Sequence, residues 1–338
     1  MKIVITGGGG FLGLGRARAG VGAGTLAGRG GREDGIEKLV LFDAEVPADR
    51  PAGLDANGFD GRVEMAAGDI ADRDRVSQLI DRDDVAVFHL ASVVSAGGER
   101  DFDGALRVNL TGGLNVLDAL RARTGGPGTR PRLVFASSLA VFGGEGMPAA
   151  VGDMTRETPE TTYGMTKAVG ELMVNDYTRK GFIDGRSARL PTVIIRPGPP
   201  NAAASGFASA LFREPLAGKE YTLPVGRDTE IMVLGYRNAV AGLIGLMEAP
   251  ADALGHDRAV SLPNAAYSVE AMIAALGRVA GGKGIALGAI ADEPDAATET
   301  IVQSWPRRMD DARARALGLP ADEGLERVIE DYMEDFGA

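Results

Sequence analysis

Short apolar runs recur along the chain, separated by longer segments of mixed polarity. Ile3-Val4-Ile5, Leu39-Val40-Leu41-Phe42, Val63 to Ala67, Ala86 to Leu90, Leu133 to Ala136 and Thr192 to Ile195 are the clearest of them. Runs of this length with β-branched residues suit strands buried on both faces, and helix-length segments between them predict crossovers. The expected architecture is therefore α/β, a doubly wound parallel sheet. Two of the intervening segments, Arg107 to Arg121 and Tyr163 to Tyr177, carry apolar residues at helical spacing. After Pro197 the pattern loosens into sequence rich in Gly, Pro, Ala and Ser, then resumes helical spacing at Ala239 to Met247 and Val269 to Val279. That change predicts a large unit over residues 1–196, with 237–262 returning to it, and a smaller C-terminal lobe over 197–338.

The first run leads into Thr6-Gly7-Gly8-Gly9-Gly10-Phe11-Leu12-Gly13. Glycines between a strand and a helix let the backbone approach a pyrophosphate, and the free N–H groups at the helix start hold its charge. Gly7, Gly10, Phe11, Leu12 and Gly13 are the expected cradle for a dinucleotide. Asp43, closing the second run, is placed to accept hydrogen bonds from ribose hydroxyls and to repel a 2′-phosphate, which favours NAD over NADP. Its plainer alternative is a turn residue. The interval from Gly13 to Asp43 exceeds the usual spacing of about 20 residues and holds Gly15, Gly20, Gly22, Gly24, Gly28, Gly30 and Gly31. Each glycine inside a helix costs about 1 kcal/mol relative to alanine, so the first helix is expected to be short or poorly ordered.

Tyr163 and Lys167 stand four residues apart, on one face of a helix, and Ser137-Ser138 precede them. A free phenol titrates at about 10, and a neighbouring ammonium favours its ionised form, the form able to accept an alcohol proton. The bland alternative is a surface contact between two long side chains. With the glycine loop, the set reads as a hydride-transfer site.

Composition narrows the field. The 338 residues are 45% hydrophobic, enough for a sizeable core, and carry a formal net charge of −11. No basic stretch offsets that balance, which argues against nucleic acid or an anionic membrane as partner. Small anions must then be captured locally. With no cysteine and only His89 and His256, a metal centre or a Ser-His-Asp hydrolase has little material to work with, and none is expected. His89, in an apolar strand, reads as structural. No run approaches the roughly 20 apolar residues of a membrane span, and Met1-Lys2 lead straight into the first strand, so a cytoplasmic setting is expected.

The glycine loop, Asp43, Asp69-Ile70, His89-Leu90-Ala91-Ser92, Asn109 to Gly112, Ser138 to Gly143 and Tyr163 to Lys167 together resemble the extended short-chain dehydrogenase/reductase superfamily, over nearly the whole chain. The resemblance implies a Rossmann-type NAD-binding domain with a substrate-binding lobe. It implies Tyr163 as proton acceptor, Ser138 holding the reacting oxygen, and Lys167 binding the nicotinamide ribose while tuning Tyr163. Asp69 and Ile70 would touch adenine, Ala91 would lie along the cofactor, and Asn109 would contact the cofactor or support the floor of the site. It also implies a homodimer through the Arg107 to Arg121 and Tyr163 to Tyr177 helices. Phe142 stands where many members have tyrosine, outside the catalytic set.

Leu190-Pro191-Thr192, Arg196 to Ser205, Arg213 to Gly218 and Ser304-Trp305-Pro306 resemble the D-erythronate dehydrogenase branch, whose reaction is NAD-dependent oxidation of the C2 hydroxyl of a four-carbon sugar acid. A small carboxylate needs a cation or convergent donors, for which Ser92, Ser95, Asn201 and Arg213 are candidates. Trp305 reads as a packing anchor. An NDP-sugar epimerase with bound NAD is the alternative enzyme, and a noncatalytic NAD-sensing protein the alternative outside enzymes. Leu139-Ala140 after Ser138 leave no acid pair for a dehydratase.

Overall fold

The computed structural model describes residues 1–27, 33–47, 51–55, 61–125, 130–199 and 203–337. Among these, seven strands form one parallel sheet: β1 (Lys2–Thr6), β2 (Lys38–Asp43), β3 (Val63–Ala67), β4 (Val85–His89), β5 (Arg132–Ser138), β6 (Asp184–Leu190) and β7 (Ala259–Ser261). They lie in the order β7-β6-β5-β4-β1-β2-β3. Ile3 on β1 registers with Leu39 on one side and Ala86 on the other. This is the Rossmann-type doubly wound sheet. Its winding reverses beside β1, which opens a crevice at the carboxyl ends of β1 and β4.

Alternate residues of one strand serve opposite layers. Ile3, Ile5, Leu39, Leu41, Ala86 and Phe88 pack on one side with Ala17, Val21, Leu243 and Leu246, from the helices Phe11–Ala23 and Tyr236–Glu248. Val4, Val40, Phe42, Val87, Leu133 and Phe135 pack on the other with Val76, Val116, Leu120 and Val174. Burial on both faces is why these strands read as continuous apolar runs, each large side chain contributing about 1.5–3 kcal/mol.

Two expectations need correction. The run at Thr192 is not part of the large sheet: Thr192–Ile194 pairs with Glu230–Gly235, which also pairs with Ala265–Ser268, in a separate three-stranded sheet. The strand beside β5 is β6, whose sequence contains the buried Arg186, Ser187 and Arg189. Charges there are tolerated because they are paired. Arg186 donates to Asp184 Oδ1 at 2.8 Å and to the Met247 carbonyl at 2.6 Å, and Arg189 reaches Glu171 Oε2 and Glu157 Oε1 at 2.6 Å each.

The first helix is also complete, Phe11–Ala23. The extra length before β2 forms an antiparallel pair, Thr25–Ala27 with Glu33–Gly35, while Gly28, Gly30 and Gly31 lie outside the described residues. The helical glycines give close packing in place of propensity. A Cβ on Gly20 would stand 2.8 Å from Arg16 Nη1, and one on Gly15 3.1 Å from Val240. Arg16 is thereby folded into the core, its guanidinium carbon 4.1 Å from the Phe88 ring centroid.

A second core begins at Ile194 and gathers Phe207, Leu211 and Phe212 from the helix Gly206–Leu216, Met272 and Leu276 from Val269–Lys283, and Val328 and Ile329 from Leu325–Phe336. The helix Thr162–Arg179 lies directly on β5. A Cβ on Gly170 would fall 2.5 Å from the Phe135 ring, and one on Gly164 2.1 Å from the Ala140 carbonyl oxygen. Gly170→Val is expected to destabilise the fold by about 1–3 kcal/mol through overpacking, read as a lower urea midpoint at unchanged slope. An unchanged midpoint would mean that this helix can stand off the strand.

Candidate active site

Three consecutive residues at the end of β5 each meet one residue of the helix Thr162–Arg179. The Ala136 carbonyl accepts from Lys167 Nζ at 2.8 Å, Ser137 Oγ donates to Glu171 Oε1 at 2.5 Å, and Ser138 borders one cavity together with Tyr163. Thr161 starts the helix, its hydroxyl accepting from Gly164 N at 3.0 Å. Lys167 Nζ stands 5.4 Å from the Tyr163 ring centroid and 4.8 Å from that of Phe135. Burial pushes the Tyr163 phenol above its ordinary range, and the neighbouring Ser138 hydroxyl opposes that shift. Burial also lowers Lys167 to about 7, against the raising influence of Glu171.

Tyr163 joins two cavities. One, of about 170 Å³, is bordered by Ser95, Ser138, Tyr163, Ser205 and Trp305. The next, of about 340 Å³, is bordered by Tyr163, Lys167, Ser92, Arg196 and Arg213 and runs to Gly7, Gly10, Phe11, Leu12 and Gly13. A third, of about 630 Å³, shares Gly7 and Gly10 and continues to Asp43, Asp69, Ile70, Ala91 and Arg107. The cavities adjoin one another along the crevice of the sheet.

The glycine end of this cleft fits a dinucleotide. Gly7 has φ +70°, and a Cβ there would sit 2.8 Å from Ala91 N. A Cβ on Gly13 would sit 2.3 Å from the Gly7 carbonyl oxygen, so the loop lies tight under the helix start. That helix opens at Gly10 without a side-chain cap and without an acid in its first turn, which leaves its N–H groups for an anion. Asp43 braces the loop, Oδ2 accepting from Gly9 N at 2.9 Å and Oδ1 from Ala44 N at 2.8 Å. Asp69 pairs with Arg107 across the third cavity and accepts from Ala71 N at 2.9 Å. A pyrophosphate would rest at Gly7 to Gly13, a ribose against Asp43, and adenine beside Asp69 and Ile70.

Asn109 does not border these cavities. Its amide accepts from Val93 N at 2.8 Å and donates to the Val93 carbonyl and to Thr166 Oγ1, each at 3.0 Å, fastening the loop after β4 to the Thr162–Arg179 helix. Ser92 Oγ donates to Asn109 Oδ1 at 3.2 Å, and Ser95 Oγ accepts from Ala204 N at 3.1 Å. Asn201 lies outside the described residues. Arg213 Nε donates to Glu214 Oε1 at 2.8 Å and Nη1 to the Arg196 carbonyl at 3.0 Å, while the buried Nη2 has no hydrogen-bond partner. Trp305 packs against two apolar clusters and also borders the smallest cavity, a double position that its sequence context did not reveal. Sequence reasoning also missed Arg196 and Ser205 on the cavity walls, and Glu171; for Glu171 the signal was its place four residues beyond Lys167. His89 is buried, shares a 2.6 Å hydrogen bond with Thr6 Oγ1, and is held neutral, pushed down to about 3 by burial and then by Lys167. Among the described residues there is no acidic or histidine cluster suited to a metal ion, and no helix long and apolar enough to cross a membrane.

Strand order, glycine cradle and the Ser138, Tyr163 and Lys167 cluster at one crevice define a dinucleotide-binding α/β protein. The chain belongs to the NAD dependent epimerase/dehydratase family, which it matches over residues 3–252. NAD is accordingly its cofactor. It is 44% identical to the D-erythronate dehydrogenase of Cupriavidus necator, over 100% of this chain and 99% of that one. To the D-erythronate dehydrogenase of Haemophilus influenzae it is 37% identical, over 99% of each chain. Among solved structures, a nucleoside-diphosphate-sugar epimerase from Agrobacterium tumefaciens matches with a TM-score of 0.88 at 39% identity, over 99% of this chain and 94% of that one.

Removing the carboxylate in Asp43→Ala takes away the Gly9 acceptor together with the charge that would face the ribose. The expected result is NAD binding weakened about tenfold, the equivalent of about 1.4 kcal/mol, with NADP affected less, in a fluorescence titration. An unchanged NAD to NADP ratio would mean that the ribose is held elsewhere.

Proposed function

We propose that this protein oxidises the C2 hydroxyl of a small sugar acid, D-erythronate, to 2-oxo-D-erythronate. The observation that carries the reading is the convergence of Ser138 and Tyr163 on a cavity of about 170 Å³, with Arg213 bordering the cavity next to it. That space suits a four-carbon acid and is small against the roughly 300–1,000 Å³ of pockets for larger ligands. The two D-erythronate dehydrogenases at 44% and 37% identity support the same choice.

In this reading Tyr163, as phenolate, takes the proton of the C2 hydroxyl, and Ser138 holds that oxygen as it becomes a carbonyl. Lys167 favours the phenolate by its charge. Bound NAD supplies the acceptor for the hydride leaving C2. Arg213, which borders the adjoining cavity, takes the substrate carboxylate in a charge-assisted hydrogen bond.

The test is formation of reduced nicotinamide by the purified protein with NAD and a panel of four-carbon sugar acids, D-erythronate and both threonates included. Turnover on D-erythronate is expected. Tyr163→Phe should lower it by about 10²–10⁴-fold with NAD binding nearly intact, and Arg213→Gln should act mainly on KM for the acid. Near-normal turnover in Tyr163→Phe would remove Tyr163 from its role. An NDP-sugar epimerase is the second reading, supported by the description of the Agrobacterium tumefaciens structure. Tightly held NAD in the purified protein, with no turnover on any acid, would favour it.

The same proposal includes a homodimer and a cytoplasmic setting with access to the NAD pool, the latter read by cell fractionation. Leu114, 41% exposed on the helix Gly112–Arg121, and Leu172, 64% exposed on Thr162–Arg179, support a second copy packing on these helices. Leu172→Glu is expected to yield a monomer by light scattering after size exclusion. A wild-type protein that already runs as a monomer would end the dimer reading.

A further inference from the structure

Beneath the floor of the site lies a buried ionic network of Arg189, Glu171 and Glu157, none of which borders the three cavities. Arg189 on β6 donates from Nε to Glu171 Oε1 at 3.0 Å and from Nη2 to Glu171 Oε2 and Glu157 Oε1 at 2.6 Å each. Arg189 and Glu171 are sequestered from water, with side-chain exposures of 3% and 2%, and Glu157 stands at the edge with 22%. Burial, and then the facing Glu171 carboxylate, push Glu157 up. The network touches the active site at two points. Ser137, which borders the cavity of Tyr163 and Lys167, donates to Glu171, and Glu171 lies one helical turn from Lys167.

Lys167 is buried, and the groups facing it come from its own helix and from neighbouring strands. From β4 comes the neutral His89, and from β5 the Ala136 carbonyl and the Phe135 ring. Its own helix contributes Tyr163 and Glu171, behind which stand Arg189 of β6 and Glu157. Glu171 is the carboxylate whose field favours the charged lysine.

We propose that Glu171, braced by Arg189, is a positioning residue for the reaction: it keeps the buried Lys167 ammonium charged and so sets the pH range over which Tyr163 accepts the substrate proton. The proposal rests on the hydride-transfer reading of Tyr163. A pair that only locked helix to sheet would have no such effect on Tyr163.

The sign follows from the charges. Without the Glu171 carboxylate, Lys167 loses its proton at lower pH, the phenolate loses its neighbouring cation, and Tyr163 ionises only at higher pH. In Glu171→Gln, the acid limb of kcat/KM for oxidation is expected to move up by about one pH unit, with activity at pH 7 reduced about tenfold and largely regained at alkaline pH. Because breaking a buried pair can unfold a protein, the double variant Glu171→Met with Arg189→Met, which removes the fully buried pair and leaves only the partly exposed Glu157 without its arginine, is measured beside it and should move in the same direction. An independent readout is the phenolate absorbance titration of Tyr163, taken as the difference between each protein and its Tyr163→Phe counterpart. Its midpoint should rise in both variants. If wild-type protein turns over the acid but neither the limb nor the midpoint moves, the network is a lock and the proposal is overturned. If wild-type protein turns over no acid, the functional reading has failed, and the absorbance midpoint alone decides whether Glu171 acts on Tyr163.

Discussion

The seam between the end of β5 and the helix Thr162–Arg179 is the constraint on which the site depends. Ala136, Ser137 and Ser138 are consecutive, so their backbone positions are fixed within a few ångströms by strand geometry. Lys167, Glu171 and Tyr163 are one turn apart on the helix. Ala136 and Ser137 each hydrogen-bond one helix residue and Ser138 shares a cavity with Tyr163, so a slip of either element would disturb all three together. Glycines set the distance across the seam: side chains at Gly164 and Gly170 would collide with the Ala140 carbonyl and the Phe135 ring.

Electrostatics in the cleft run against those of the whole molecule. The chain carries a net charge of −11, yet Lys167, Arg196 and Arg213 converge on one cavity beside an uncapped helix N-terminus. Long-range attraction for anions is absent, so capture relies on donors within hydrogen-bond range, where the low local dielectric makes each one count. Arg196 illustrates the cost, its guanidinium destabilised by burial and then by its neighbour Arg213. An anionic substrate brought into this cavity would relieve that repulsion.

Much of the fold was legible because two-sided burial writes itself into sequence as apolar runs. β1 to β5 stand where those runs fall, and the helices carrying Arg107 and Tyr163 follow the helical period, although Leu106–Thr111 is wound as a π-helical turn. β6 was not legible. Its interior positions hold Arg186 and Arg189, whose burial is compensated by Asp184 on the strand itself, by the Met247 carbonyl, and by Glu157 and Glu171 from other elements. A hydropathy pattern records the cost of burying a charge but not the partner that offsets it. The first helix misled in the opposite sense, since propensity counts each glycine as a loss while Gly20 makes the room that Arg16 fills. Trp305 could be read as an anchor but not as a cavity wall, because only the packing of the C-terminal segment brings it opposite Ser138.

By itself the sequence determined the sheet class, the position of the glycine cradle, and the chemistry available at Ser138, Tyr163 and Lys167, because each depends on local spacing or on side-chain type. Tertiary structure alone decided which residues share a cavity and at what charge. Asn109 became a brace for the loop after β4, Arg213 kept one donor unpaired, and Lys167 came under the field of Glu171. Desolvation and pairing are properties of what surrounds a group, and those surroundings are assembled only when distant segments pack.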